Sequence, residues 1–350
     1  MDPRIQTILQ HAVLAPSGDN CQPWKFVVNG LQVELHNDPS RDTSLYNLNQ
    51  RASLIAHGAL LENVRIAGPA VGLLPSFQLF PEPDNPQHIA SIRFAEGPTE
   101  TSPLYTAIPE RHTNRETYRP VKISDRQADT WQALPDQPGQ RLWIGRDSGQ
   151  LDTLAGLLSL NDRLVFEVPE LHRFLFEQIR WTDEEAAKTG DGLDIKTLGL
   201  NTLDRMAFRF LKHWALVAAL NMVGFSRIIQ MKAKSLQKSA SAIAVVVVPG
   251  SSAEDYVHGG QLWQRFLLQL ASEGLTAQPI AGLACLMQAA HEGLLEGRVA
   301  KRHLSQLLDI RGELLRVAGA GETDVVLAMF RVGRGPAVAR AMRRGMDEFL

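Results

Sequence analysis

The run Ala15-Pro16-Ser17-Gly18-Asp19-Asn20-Cys21-Gln22-Pro23-Trp24 gathers short polar side chains where one apolar-periodic segment stops and another begins. Ser17 supplies a hydroxyl and Asn20 an amide with both donor and acceptor ends, a set that suits the polar edge of a heterocyclic ring. The same residues also suit an Asx or Ser turn capped by its own side chains. Other candidates carry less chemistry. In Gly145-Arg146-Asp147-Ser148-Gly149 the serine stands one residue late for a nucleophile elbow, and no strong apolar strand leads into it. A Gly-x-Gly-x-x-Gly strand-to-helix junction and a Walker sequence are both absent, so neither a resident dinucleotide fold nor phosphoryl transfer is supported. Cys21 and Cys285 are far apart and outside any Cys-x-x-Cys, so neither a disulfide framework nor a zinc site is expected, and no metal is assigned. His57 and His258 read as capping or packing residues. No acid–base constellation stands out, so no catalytic residue is assigned.

The elements that must position the polar loop follow from periodicity. Ile5, Ile8, Leu9, Ala12 and Val13 make residues 3–14 a helix that Pro16 and Gly18 stop. Residues 24–28 and 31–35 read as strands joined by Asn29-Gly30, a two-residue hairpin signal. Residues 51–68 are helix-periodic and lead through Gly72-Leu73 to a strand at 77–80, and 81–109 reads as a Pro-rich connector around one short strand, 89–94. The plan then recurs: strand 242–248, helix 255–272, and Gly274-Leu275. Fourteen residues separate Gly58 from Gly72, and fourteen separate Gly260 from Gly274. Between the two, residues 150–238 carry helical patterns at 151–160, 171–181 and 202–233, and read as a helical insertion. Helices at 298–308 and 311–317, a strand at 325–330 and a basic tail complete the chain.

Composition bounds the answer. The chain has 350 residues, 44% apolar and 21% charged, enough for a sizeable globular core. Its formal charge of −2 recommends neither nucleic acid nor an anionic membrane as partner, and the apolar run 214–225 is too short to span a bilayer. The amino terminus lacks a signal-peptide layout, and with two cysteines a reducing cytoplasm is the expected location.

The loop Ala15-Pro16-Ser17-x-x-Asn20-x-Gln22-Pro23-Trp24 resembles the flavin-binding loop of the nitroreductase superfamily. Arg111-His112-Thr113-Asn114-Arg115 is similar to that family's phosphate-binding stretch, and it is followed by Tyr118, Pro120 and Ile123-Ser124. Pro279-Ile280-Ala281-Gly282, after Gly274-Leu275, resembles the family's Pro-Ile-Glu-Gly segment, with Ala281 in the place of the usual Glu. The closing Met329-Phe330-Arg331-Val332-Gly333 with Arg343-Arg344 is similar to its last strand and basic pair. The resemblance implies an α+β fold with a mixed, mainly antiparallel sheet flanked by helices, and FMN as cofactor. It implies that Ser17, Asn20 and Gln22 face the ring, and that Arg111, Thr113, Arg115, Arg343 and Arg344 face the phosphate through charge-assisted bonds. The backbone of Pro279, Ile280, Ala281 and Gly282 would approach the reactive ring nitrogen.

One departure sets the expected architecture. In typical family chains the arginine motif precedes the Ala-Pro-Ser loop, whereas here Arg111 follows Ser17. The family dimer builds each site from both subunits, so the reversal implies two fused halves, residues 1–100 and 105–350, making one site. That plan resembles the Acg-like branch: a monomer imitating a dimer, with residues 150–238 as a lid and the 214–225 run packed over the site. The implied activity is an FMN-dependent oxidoreductase in which NAD(P)H reduces the flavin and a small electron-poor acceptor reoxidises it. The alternative is a non-catalytic FMN-binding or flavin-sequestering protein.

Overall fold

The structure, a computed structural model, describes all 350 residues. The first helix, α1 (Pro3–Ala12), starts where the Asp2 carboxylate accepts from the Arg4 amide and Pro3 fills the first turn, and it buries Ile5, Ile8, Leu9 and Ala12. After the polar loop come β1 (Trp24–Asn29) and β2 (Gln32–Asn37), paired antiparallel across a tight turn in which Gly30 takes φ +59°. Helix α2 (Arg51–Ala70) is buried along nearly its whole length and leads through Gly72, φ +74°, into β3 (Leu73–Leu79) and β4 (His88–Glu96). These four strands form one antiparallel sheet in the order β1-β2-β4-β3.

Next come α3 (Pro103–Glu110), α4 (Asp125–Gln132) and β5 (Arg141–Gly145). A helical stretch follows: α5 (Ser148–Leu158), α6 (Leu160–Glu167), α7 (Pro169–Gln178), the short β6 (Ile179–Arg180), α8 (Asp183–Thr189), the short β7 (Leu193–Asp194), α9 (Thr202–Phe210), α10 (Trp214–Asn221) and α11 (Phe225–Lys238). Then β8 (Ala242–Val248), α12 (Ala253–Ser272), β9 (Thr276–Ile280), α13 (Ala281–His291), α14 (Lys301–Val317) and β10 (Val325–Gly333) complete the regular elements. The second sheet is antiparallel in the order β5-β8-β10-β9. Every residue of β8 and β10 is buried, because the sheet separates two cores. Ala242, Ala244, Val246 and Val248 face one; Ile243, Val245 and Val247 face the other. The fold is thus α+β, with two mainly antiparallel sheets flanked by helices.

Helices α2 and α12 cross at the centre of the molecule, and two glycines allow it. A Cβ on Gly58 would overlap the Val257 carbonyl and stand 2.9 Å from the Gly260 Cα, while one on Gly260 would overlap the Ile55 carbonyl. Beside the crossing, Gln264 Nε2 donates to Asn63 Oδ1 at 2.8 Å and Arg265 Nε donates to Glu62 Oε1 at 2.8 Å. The offset of 202 residues between Gly58 and Gly260 also relates Ile55 to Val257, Glu62 to Gln264 and Asn63 to Arg265. The contacts across the crossing are therefore reciprocal.

Beyond β10 the chain runs extended back toward the first sheet. Asn114 Nδ2 donates to the Pro336 carbonyl and Asn20 Nδ2 to the Met342 carbonyl, each at 2.8 Å, and the Phe26 amide donates to the Phe349 carbonyl at 2.6 Å. Phe349 packs on Trp24, so the tail ties the second sheet to the first.

Some elements differ from expectation. The connector at 81–109 contains the nine-residue β4 and α3, whose start is capped by Ser102. The expected helices 298–308 and 311–317 join into α14, since His303, Leu307, Ile310 and Leu314 keep one buried stripe. The expected helix 202–233 breaks into three: Gly224 takes φ +89°, and α10 and α11 meet at 89°. The 214–225 run does not pack over the polar loop. It lies on α6 and α7, where Val217 and Trp214 join Val165 and Phe166.

Candidate functional site

The polar loop is folded tightly against its own preference. Asp19, Asn20 and Gln22 take φ of 42°, 60° and 52°, the left-handed region that non-glycine residues enter only when their surroundings hold them there. Ser17 Oγ accepts from the Gln22 amide at 3.0 Å, and the Cys21 amide donates to the Gly18 carbonyl at 2.9 Å. Asn20 is clamped through its amide nitrogen to Met342, which leaves its Oδ1 buried and without a partner in the protein.

Facing this loop is the segment after α3. The Asn114 amide donates to the Ala277 carbonyl at 3.2 Å, and Thr113 bridges to Ala277 in parallel fashion, so the segment lies beside β9. Between loop and segment opens a hollow lined mainly by polar and charged side chains. Ser17, Asn20, Arg111, Thr113, Arg115 and Arg343 all line it. Thr197, from the helical stretch, closes one side, where its carbonyl accepts from Arg115 Nη1 at 3.3 Å.

Four arginines line the hollow, Arg111, Arg115, Arg340 and Arg343, against one acid, Asp19. Arg343 donates only to carbonyls, those of Val13 at 2.9 Å and Ala15 at 2.8 Å. Arg111 reaches the Leu14 carbonyl at 3.4 Å and leaves its Nε buried without a partner. Neither these two nor Arg115 forms an ion pair, whereas the neighbouring Arg340 and Arg344 pair with Glu110 and Asp191. Burial, then the Arg111 charge, pushes Arg343 down to about 9; burial, then Arg340, pushes Arg111 down to about 10. Guanidinium groups do not lose their proton at neutral pH, so the depression expresses an unneutralised positive charge in a poorly hydrated place. An anion with two negative charges would relieve it.

Two of the expected residues are engaged elsewhere. Gln22 is 1% exposed; its amide nitrogen donates to the Asn20 carbonyl at 3.0 Å and the Gly190 carbonyl at 2.8 Å, and its oxygen accepts from the Arg344 amide. It is a strap between the loop, the helical stretch and the tail. Arg344 is buried, ion-paired with Asp191, and donates from Nη1 to the Cys21 carbonyl at 2.9 Å, which withdraws it from any phosphate. Pro279 and Ile280 lie in β9 opposite Phe330 and Met329, and Ala281 and Gly282 open α13. None of the four lines the hollow. Gly282 instead abuts the Tyr46 ring and stands near Asn161 Oδ1.

Around that turn the structure gathers acids that sequence reading passed over. Burial and the neighbouring Asp42 push Asp19 up to about 6, against the pull of Arg115; burial pushes Asp162 up to about 6 as well. Tyr46 is raised by burial, then by Asp19 and Asp162. Asp19 was visible inside the loop motif itself, but Asp42, Tyr46 and Asp162 lie in segments without a recognisable pattern. Cys21 is pushed far up by burial and Cys285 up to about 12, so both are inert thiols.

No protein-family model matches the chain. It is 24% identical over 344 residues to the uncharacterized protein MT1398 of Mycobacterium tuberculosis (strain CDC 1551 / Oshkosh), a match covering 98% of this chain and 47% of that protein. It is 35% identical over 91 residues to the putative NAD(P)H nitroreductase acg of M. tuberculosis, covering 26% of this chain and 28% of the relative. With the putative NAD(P)H nitroreductase Rv3131 of the same species (strain ATCC 25618 / H37Rv) it shares 29% identity over 116 residues, 33% of this chain and 34% of the relative. The matches thus span half or less of these curated relatives. Among solved structures, the FMN-dependent nitroreductase NfnB from Mycobacterium smegmatis in complex with NADPH is 15% identical with a TM-score of 0.39, over 71% of this chain and 96% of that one. Superposition that loose leaves the assignment to sequence. The likeness to putative NAD(P)H nitroreductases thus rests on sequence and covers a quarter to a third of this chain.

Proposed function

We propose that the chain is an FMN-dependent oxidoreductase that takes electrons from NAD(P)H and passes them to a small electron-poor acceptor. The observation that carries this reading is the hollow itself, whose lining holds three guanidinium groups without a carboxylate partner together with the orphaned Asn20 Oδ1. Arg111, Arg115 and Arg343 would hold the phosphate, with the Thr113 hydroxyl beside them, and Ser17 and Asn20 would hold the polar edge of the ring. FMN, when bound, supplies the hydride and electron chemistry. The protein's part is to bind, orient and exclude water. The strained loop presents Asn20, the Gln22 and Arg344 straps keep the loop closed, and Thr197 roofs the arginines.

The reciprocal contacts at the α2–α12 crossing support a further part of the reading: residues 1–100 and 105–350 are two fused nitroreductase-like halves, of the Acg-like kind, that share one site. The polar loop comes from the first half and the arginines from the second, as two subunits would supply them. The chain would then act as a monomer. Anaerobic titration of the FMN-loaded protein with NADPH, and separately with NADH, tests the activity. Bleaching of the flavin band at one equivalent of either is expected. Retained flavin that neither nicotinamide bleaches would contradict the oxidoreductase reading and leave a flavin-sequestering protein.

A further inference from the structure

The largest unexplained feature lies on helices that do not line the hollow. Helices α9 to α11 sit on a small apolar cluster formed by Val165, Phe166 and Val217, into which Phe208, Leu211, Trp214, Phe225 and Ile229 point. The opposite sides of these helices are just as apolar, yet bare. Leu203, Met206 and Phe210, at i, i+3 and i+7 of α9, are exposed, as are Ile228 and Met231, at i and i+3 of α11. At the turn between α10 and α11, Met222 is 83% exposed and Val223 is 81% exposed, so that two apolar side chains form the tip of the bend. Single exposed apolar residues are ordinary, but a run of them on two helices and the bend before the second marks an interaction surface.

The charge around this surface selects the partner. Between Asn201 and Lys238 the chain carries seven Lys and Arg against one acid, Asp204, although its overall formal charge is −2. Lys234 and Lys238 share the single carboxylate of Asp152. Lys212, Arg227 and Lys232 are exposed and have no carboxylate partner, and Arg209 lies over the Trp181 ring, 5.6 Å from its centroid. A second copy of this chain would bring the same cations face to face. No single helix here is long and apolar enough to cross a bilayer, and α10 and α11, which are so only together, are bent by 89°. Short helices with a bare apolar side and a basic flank suit the plane of a membrane surface, where the apolar side enters the headgroup boundary and the cations meet anionic lipid.

We propose that α9 to α11 form a docking surface for an anionic lipid bilayer, with Met222 and Val223 as the inserting tip. The formal charge of the whole chain, which argued against a membrane, averages away this local excess. Independently of any flavin, the test is flotation of the full chain with vesicles of phosphatidylglycerol and phosphatidylcholine in equal parts, against vesicles of phosphatidylcholine alone. The protein is expected to float with the anionic vesicles in low salt, to leave them in high salt, and to ignore the neutral ones. Met222→Asp with Val223→Asp should lower partitioning at least about tenfold, as should Lys212→Glu with Arg227→Glu. These side chains are exposed, and an unchanged thermal melt will show that the variants fold. Three results would overturn the proposal: wild type left unbound by anionic vesicles, the double-Asp variant binding as well as wild type, or a concentration-dependent dimer in sedimentation that the double-Asp variant abolishes while vesicles remain unbound.

Discussion

Arg111→Ala combined with Arg115→Ala is expected, on the proposed function, to lower FMN affinity by two to four orders of magnitude, read by equilibrium titration of the quenched flavin fluorescence. Each guanidinium that meets the phosphate makes a charge-assisted bond of about 1.5–3 kcal/mol, so losing two costs roughly 3–6 kcal/mol, at about 1.4 kcal/mol per decade. The structure says why the effect is large here. These side chains have no carboxylate to fall back on, and Arg111 leaves its Nε without a partner, so an anion is the natural complement of the site. Arg340→Ala serves as the control: its guanidinium is half exposed and already paired with Glu110, and removing it should change FMN affinity less than about tenfold, since exposed pairs contribute ~1 kcal/mol at most. Equal losses in the two proteins would count against the assignment.

Glu62→Ala should be the most damaging single substitution away from the site. The Glu62 carboxylate is fully buried and accepts four hydrogen bonds, from Arg265 Nε and Nη2 and from Arg65 Nε and Nη2. Removing it strands the Arg265 charge at the α2–α12 crossing, and breaking a buried pair in this way costs about 3–5 kcal/mol. Arg265 keeps Asp136 at 2.6 Å, which sets the expectation at the lower end. At roughly 2 °C per kcal/mol for a chain of this size, the melting temperature should fall by about 6 °C or more. Glu313→Ala, which breaks the exposed pair with Arg316, should move it by no more than about 2 °C, because such pairs are screened by solvent. A Glu62→Ala melt indistinguishable from that of Glu313→Ala would show that the Glu62–Arg265 pair does not stabilise the crossing.

Much of this architecture is legible in the chain because its signals are local. Asn29-Gly30 dictates the β1–β2 turn, and the apolar spacing of residues 3–12 dictates α1. The matching glycine intervals, 58 to 72 and 260 to 274, point to two similar units before any contact is known; the crossing shows why Gly58 and Gly260 are glycines. The breaks in the helical stretch are hidden because Leu211 and Met222-Val223 continue the apolar spacing of the helices while the backbone turns. In the site, the residue types of the loop and the arginines announced an anion and a polar ring edge. Their division of labour did not show, because it depends on contacts distant in sequence. Gln22 is occupied by Gly190 and Arg344 by Asp191, more than 150 positions away in each case, and no local pattern records such a pairing. The same holds for Asp162, which comes near the Tyr46 region only through the packing of α6 against α13.

The central claim is that one FMN lies between the Ser17–Gln22 loop and the arginines that follow α3. The most direct measurement is the flavin stoichiometry of the full chain, loaded with excess FMN, freed of unbound cofactor, and released by denaturation for absorbance against protein concentration. One FMN per chain is the expected result; two per chain, or none retained, would contradict it.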